Sequence, residues 1–168
     1  MTTIGDTEGE VRVFTFKEGL LSAIAHDLEI AVTRFSITWD DAAVSATFDA
    51  SSLKVLHPIV HGRPSPGTLS PRDLAKIESN IRGEVVRGEI RFASSSMEKI
   101  GEGWRLTGGL TIGGRTNEIR ADVRRENDRW VTEVVIDQPR WGITPYSAMM
   151  GTLKIKPEVR VRVSVRAA

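Results

Sequence analysis

The sequence predicts an all-β fold, namely an antiparallel barrel of eight strands with one amphipathic helix and short helical turns. Three observations predict it: several segments alternate apolar with polar residues, one long segment changes the phase of its alternation, and a glycine pair separates two alternating segments. A period of two is typical of strands that have one face in the core and one in water.

Alternation is clearest near the end of the chain. From Val159 to Val165 every second residue is valine, and arginine or serine lies between them. Residues 119–124 and 104–112 alternate in the same way. Further strands are expected at residues 11–16, 28–39, 43–53, 89–97 and 130–137. The total is about eight, a number that can close a barrel.

Two local features support strands that bend and return. Between residues 28 and 39 the apolar residues occupy even positions up to Val32 and odd positions from Phe35. A bulge or bend near Thr33 and Arg34 would produce this change of phase. Farther along, Gly113-Gly114 can supply the positive φ angles of a tight hairpin turn.

One helix is predicted to begin at Ser70, where Ser-Pro-Arg-Asp resembles a capping box with proline in the first turn. Leu74, Ile77 and Ile81 then share a face, so we expect the helix to pack on the sheet or cover it. The preceding residues 57–68 contain three prolines and two glycines and are expected to form a loop. The length predicts a single domain, residues 1–168.

Composition restricts the possible functions. The chain has no cysteine, which excludes disulfides, thiolate metal sites and cysteine nucleophiles. Lysine and arginine number 23 against 22 acidic residues, and the two signs are interleaved, so we expect no nucleic-acid partner. No apolar run approaches the roughly 20 residues of a membrane helix, and the N-terminus is acidic. We therefore expect a soluble, cytoplasmic protein that does not span a membrane; protein partners are left open.

Histidines are the candidates for metal ligation and acid–base chemistry. His57 and His61 have the spacing of a helical ligand pair, but Pro58 disfavours a helix, and we expect loop histidines that contact only water. His26 and Asp27 are neighbours on an extended chain and point to opposite faces, so they cannot form a dyad. We expect no catalytic residue, no metal and no cofactor. An enzyme that uses His26 is the least favoured alternative.

Small residues on the inward parity predict space inside the barrel. Ala46, Ala50, Ser94, Gly108 and Ala121 fill less volume than a sealed core requires. Such a space with an apolar wall could hold an apolar or amphiphilic ligand. The alternative is a barrel filled by its own side chains, which would act as a non-catalytic structural or interaction module.

The residues expected to contact the ligand are apolar, aromatic or thioether side chains, with His26 or Arg34 at a polar head group. These apolar contacts are Ile37, Trp39, Ala46, Phe48, Phe92, Trp104, Leu106, Ala121, Ile136, Trp141, Tyr146, Met149 and Met150.

Three segments resemble the YceI-like family of lipocalin-like barrels. Ile90-Arg-Phe-Ala-Ser94 is similar to the family's Ile-x-Phe-x-Ser strand, and Leu106-Thr-Gly-Gly-Leu-Thr-Ile-Gly-Gly114 is similar to its Gly-x-Leu-Thr-Ile-x-Gly hairpin. Trp141-Gly-Ile-Thr-Pro-Tyr-Ser147 resembles the closing Phe-Gly-Ile segment, with tryptophan where phenylalanine is usual. The resemblance implies an elongated apolar tunnel with a polar head group near its mouth. It also implies that the protein binds, carries or stores a polyprenyl or quinone-like lipid.

Overall fold

The computed structural model describes residues 1–18, 26–81, 88–145, 147–148 and 153–167 of the chain. Most strands belong to one 12-stranded antiparallel sheet, and three short strands form a second sheet. The strands are β1 (Thr2–Gly5), β2 (Gly9–Thr15), β3 (Lys17–Glu18), β4 (Asp27–Val32), β5 (Phe35–Trp39), β6 (Val44–Asp49), β7 (Leu53–Val60), β8 (Arg63–Pro64), β9 (Glu89–Ile100), β10 (Gly103–Ile112), β11 (Arg115–Glu126), β12 (Arg129–Asp137), β13 (Ser147–Ala148), β14 (Leu153–Ile155) and β15 (Glu158–Arg166). The helix α1 (Pro71–Asn80) lies between β8 and β9 in the chain.

Two bent strands close the main sheet into a ring. β4 and β5 are halves of one strand, and β6 and β7 are halves of another, interrupted by a 3-10 turn at Ala50–Ser52. β5 pairs with β6 and β4 pairs with β7, so the bent strands run side by side along both halves. With each bent strand counted once, eight of the described strands pair in a closed order: β2, β4–β5, β6–β7, β9, β10, β11, β12, β15 and back to β2. The predicted antiparallel barrel is confirmed.

The predicted bend at Thr33 and Arg34 is also present. Both residues hydrogen-bond Ser52, which lies at the bend of the neighbouring strand: the Thr33 N–H and hydroxyl donate to the Ser52 carbonyl, at 3.2 and 2.9 Å. The Arg34 N–H donates to Ser52 Oγ at 2.9 Å. These bonds satisfy the backbone where both ladders are interrupted. The change of phase keeps Val32 and Phe35 buried on either side of the bend.

Glycine is required where β9 approaches β10. The register shifts between Thr107 and Gly108, so Ser95 is an extra residue in β9, and its hydroxyl donates to the Thr107 carbonyl at 3.1 Å. A Cβ on Gly108 would lie 2.3 Å from the Ala93 carbonyl oxygen. Gly108 therefore allows close strand contact, and the expectation that it leaves space inside the barrel was wrong. Gly113-Gly114 form the predicted hairpin turn, with φ angles of 58° and 83°.

The helix is confirmed, and the loop before it is shorter than expected. The Ser70 hydroxyl accepts a hydrogen bond from the Asp73 N–H at 3.1 Å, and the apolar face of α1 packs against the core. Residues 57–60 continue β7 and residues 63–64 form β8, so the loop prediction was wrong there. Pro58 pairs with Leu28 in β7, and the β4–β7 register shifts two residues earlier, at Leu56, which lies opposite the step from Glu29 to Ile30.

Replacing Gly108 with alanine tests the close approach of β9 and β10. The new Cβ would overlap backbone atoms that cannot rotate away, so we expect the free energy of unfolding to fall by about 1–3 kcal/mol. The matched control is Gly5→Ala, because a Cβ at Gly5 would lie 3.5 Å from the Phe35 carbonyl oxygen, an ordinary contact. Urea unfolding of both variants measures the difference. Equal stabilities would contradict the close approach.

Candidate functional site

The ring encloses an apolar cavity of about 610 Å³. Inward side chains from every strand of the ring line it, and Leu69, Ile77 and Ile81, in and beside α1, add to the wall. Volumes of about 300–1,000 Å³ are typical of sites that enclose a small organic ligand. The described side chains therefore leave room for a guest molecule.

Ten of the residues proposed from the sequence line this cavity. They are His26, Ile37, Trp39, Ala46, Phe48, Phe92, Trp104, Leu106, Ala121 and Ile136. All of them share the inward side of the two-residue alternation, and the sequence pattern identifies that side. Contact between these residues and a ligand stays a prediction. Tyr146, Met149 and Met150 lie outside the described residues.

The structure places Arg34 outside the cavity. Its side chain is 64% exposed, and its guanidinium contacts Asp49 Oδ2 at 2.9 Å on the outer surface. Hydrogen bonds from the Ser51 hydroxyl and N–H, together with one from Arg34, lower the pKa of the Asp49 carboxyl. The expectation of a head-group contact fails for Arg34 because the residue lies at the bend, where strand parity does not give the direction of a side chain.

Trp141 is part of the packing at the cavity's edge and does not line the cavity. It ends a 3-10 turn at Gln138–Trp141, is 3% exposed, and its Nε1 donates to the Leu110 carbonyl at 2.8 Å. Its ring packs in a cluster with Ile112, Ile136 and Val159. The predicted ligand contact is therefore not supported by its position, and the 3-10 turn explains why a strand pattern cannot place it.

Several lining residues were missed by the sequence analysis. Val11 and Val13 of β2 and Leu28 and Ile30 of β4 line the cavity on the inward parity of predicted strands, so extending the alternation argument would have found them. Ile77 belongs to the helix face already identified. Nothing in the sequence distinguishes that face's contact with a cavity from ordinary packing on a sheet.

The cavity has two chemically different ends. We call the tryptophan end the part lined by Trp39, Trp104 and Trp130, where Asp40 and Asp41 also border the space. At that end the N–H groups of Ala42 and Ala43 bond the Asp40 carboxyl and lower its pKa.

We call the histidine end the part lined by Thr15, His26 and Gln138. The Gln138 amide nitrogen donates to the Pro157 carbonyl at 3.1 Å. Thr15 lines the same end, 4% exposed, and its Oγ1 is buried without a hydrogen-bond partner in the part of the chain that the structure describes.

His57 and His61 were expected to be loop residues that contact only water, and the structure places His57 differently. His57 lies in β7, where its Nε2 is 3.1 Å from Glu29 Oε1, and Arg12 Nε is 3.3 Å from Glu29 Oε2. The prediction of a water-exposed loop residue was therefore wrong for His57. His61 is exposed in the turn after β7, with φ of 52°. Within the described ranges, no group of three or more His, Asp or Glu side chains is placed to hold a metal ion.

The fold of this barrel is shared with known proteins. The family model of the YceI-like domain matches residues 5–167. The chain belongs to the YceI-like family. The match covers nearly the whole chain and confirms the resemblance predicted from its segments.

Several solved structures have the same fold as this chain. BcnA of Burkholderia cenocepacia superimposes with a TM-score of 0.65 at 16% sequence identity, over 95% of this chain and 96% of that one. The Campylobacter jejuni YCEI protein superimposes with a TM-score of 0.54 at 16% identity, over 82% of each chain. A mutant of the Campylobacter jejuni protein with a monobromobimane guest superimposes with a TM-score of 0.55 at 14% identity, over 82% of each chain. No curated protein matches the sequence.

Among the described residues, no helix is long and apolar enough to cross a membrane.

Trp141 and Trp39 allow the structural and lining roles to be separated. Trp141→Phe removes the donor to a buried carbonyl, so we expect the free energy of unfolding to fall by about 1–3 kcal/mol while the affinity for an apolar probe is unchanged. Trp39→Phe alters the cavity wall and is expected to change ligand affinity more than stability. Urea unfolding and a binding titration on each variant measure both quantities. Loss of binding in a stably folded Trp141→Phe variant would show that Trp141 contacts the ligand.

Proposed function

We propose that the protein binds, carries or stores an amphiphilic long-chain lipid, polyprenyl or quinone-like, inside the barrel. The observation that carries the proposal is the apolar cavity of about 610 Å³ enclosed by the ring. Burial of a hydrocarbon chain gains about 25 cal/mol for each Å² of apolar surface removed from water. A flexible unbranched or prenyl chain can follow the cavity from one end to the other.

Two other functions are less well supported by the geometry. A barrel filled by its own side chains would bring the small lining residues Ala46 and Ala121 into contact with larger ones, yet both border open space. An enzyme that used His26 would need an orienting carboxylate. The adjacent Asp27 is engaged elsewhere, because its Oδ1 accepts from the Lys17 N–H at 2.6 Å. A binding protein without catalysis accounts for both observations.

Extraction of the purified protein with organic solvent, followed by mass spectrometry, tests the proposal directly. The protein is taken from its native host, and a mock purification without it is the control. We expect about one lipid with a polyprenyl or other long apolar chain for each protein molecule, because the barrel interior can hold one such chain. An empty protein that also takes up no added polyprenyl alcohol or long-chain quinone would overturn the proposal.

A large side chain placed inside the cavity should weaken ligand binding. Ala46 and Ala121 line the cavity and are 7% and 6% exposed, so Ala46→Trp and Ala121→Trp would place an indole where the ligand lies. We expect at least a tenfold loss of affinity for a polyprenyl probe, corresponding to about 1.4 kcal/mol. The matched control is Ala93→Trp, since Ala93 is exposed on the outward face of β9. Unchanged binding in both inward variants, with circular dichroism showing intact folds, would contradict a ligand inside the barrel.

A further inference from the structure

One polar side chain in the cavity wall lacks a hydrogen-bond partner. Thr15 ends β2 and lines the cavity, and its buried Oγ1 bonds no other group within the described ranges. A rotation of roughly 120° about the Cα–Cβ bond of a threonine moves its hydroxyl into the staggered position that the methyl group held, so the hydroxyl can reach a guest molecule. An unpaired buried hydroxyl destabilises a fold, and a partner supplied from outside the chain explains why one is retained here.

Thr15 and His26 both line the histidine end of the cavity. The β2–β4 register pairs Thr15 with Leu28, and His26 precedes Leu28 by two residues, immediately before β4 begins at Asp27. In a regular antiparallel pair, the residue two positions from the partner is a diagonal neighbour with its Cα about 7–8 Å away. An imidazole nitrogen can donate or accept a hydrogen bond, and a hydroxyl can do both. One small polar group can bond both side chains from the cavity.

Besides Thr15 and His26, the wall has a hydroxyl and an amide nitrogen that are bonded within the protein, two carboxylates, and the indoles of the tryptophan end. The Thr132 hydroxyl donates to the Asp122 carbonyl at 2.9 Å, and the Gln138 amide nitrogen donates to the Pro157 carbonyl at 3.1 Å. Asp40 and Asp41 border the tryptophan end, and the described lining contains no lysine or arginine. An anion buried without a paired cation is strongly disfavoured. The wall therefore favours a neutral head group.

We propose that Thr15 and His26 form a head-group subsite that binds a neutral oxygen, either the carbonyl of a ketone, quinone, ester or amide or the hydroxyl of an alcohol. The Thr15 hydroxyl donates to such a carbonyl, and His26 supplies the second hydrogen bond. A phosphate or sulfate head group does not fit this subsite. The inference rests on the proposed lipid-binding function and adds the chemical class of the ligand's polar end.

Two probes with the same chain length separate the head group from the tail. Hexadecan-2-one and hexadecane are each titrated against the full-length protein by displacement of the neutral fluorescent reporter N-phenyl-1-naphthylamine. Thr15→Val keeps the shape of the side chain and removes its hydroxyl. We expect Thr15→Val to weaken the binding of hexadecan-2-one about three- to tenfold, which is the effect of one hydrogen bond. The affinity for hexadecane should be unchanged. Thr15→Ser keeps the hydroxyl and should retain the wild-type ratio of the two affinities.

Thr132→Val is the matched control, because it removes a lining hydroxyl that is already bonded within the protein. Any effect it has should be equal for the two probes. His26→Leu provides a second test, which remains usable if Thr15→Val is unstable. It should also weaken the binding of the ketone and not that of the alkane.

Each possible result has a defined meaning. If the ratio of ketone to alkane affinity is the same in wild type, Thr15→Val and His26→Leu, the head-group subsite is wrong and lipid binding stands. If neither probe binds the wild type, the proposed function fails and the subsite fails with it. Hexadecyl phosphate binding the wild type more tightly than the ketone would overturn the neutral head group. Selective weakening of the ketone in the two inward variants supports the subsite.

Discussion

The cavity and the fold both depend on the pairing of two bent strands. Because β4–β5 and β6–β7 bend at adjacent points and remain paired on both sides of the bend, the sheet can turn back on itself and close. Ser52 makes this possible by accepting hydrogen bonds from Thr33 and Arg34 where the ladders are interrupted. Without such a bend, the strands would extend as an open twisted sheet with exposed edges, and their inward side chains would not enclose a volume.

Closure fixes the width of the interior independently of the side chains inside it. In a barrel, strand number and stagger determine the diameter, and eight strands leave room either for packed side chains or for one small ligand. Here alanines at positions 46 and 121 and short valines along β2 and β15 leave that room unfilled. The close contact at Gly108 has the opposite effect, because it draws β9 and β10 together and tightens the wall. The cavity thus results from a rigid ring combined with small inward residues.

Alternation of apolar and polar residues predicts the inward side chains of regular strands, and it fails wherever the period of two is interrupted. Ile37, Ala46, Leu106 and the other lining residues of regular strands were found because alternation decides which face they occupy. Arg34 at a bend and Trp141 in a 3-10 turn were misplaced because neither position has a strand's parity.

Some features of the site depend on tertiary contacts that no sequence period encodes. Glu29 and His57 are 28 residues apart, and their contact exists because β4 pairs with β7. The Thr15 hydroxyl, which has no hydrogen-bond partner among the residues that the structure describes, is likewise a feature that only tertiary contacts define. The sequence could therefore predict the apolar wall and the candidate His26, whereas the candidate Thr15 required the structure.

The outer and inner faces of the barrel contribute to the molecule in different ways. Outside, Arg124 and Arg162 contact Glu126 and Glu133 in an exposed ion-pair network, and pairs of that kind add little stability because water and salt screen them. Inside, the apolar side chains that border the cavity face open space and lack full contact with one another. The proposed hydrocarbon ligand would supply the missing contacts, and it could do so only when the ring is closed. Binding and folding therefore draw on the same apolar surface, so a ligand held in the cavity stabilises the closed barrel by mass action.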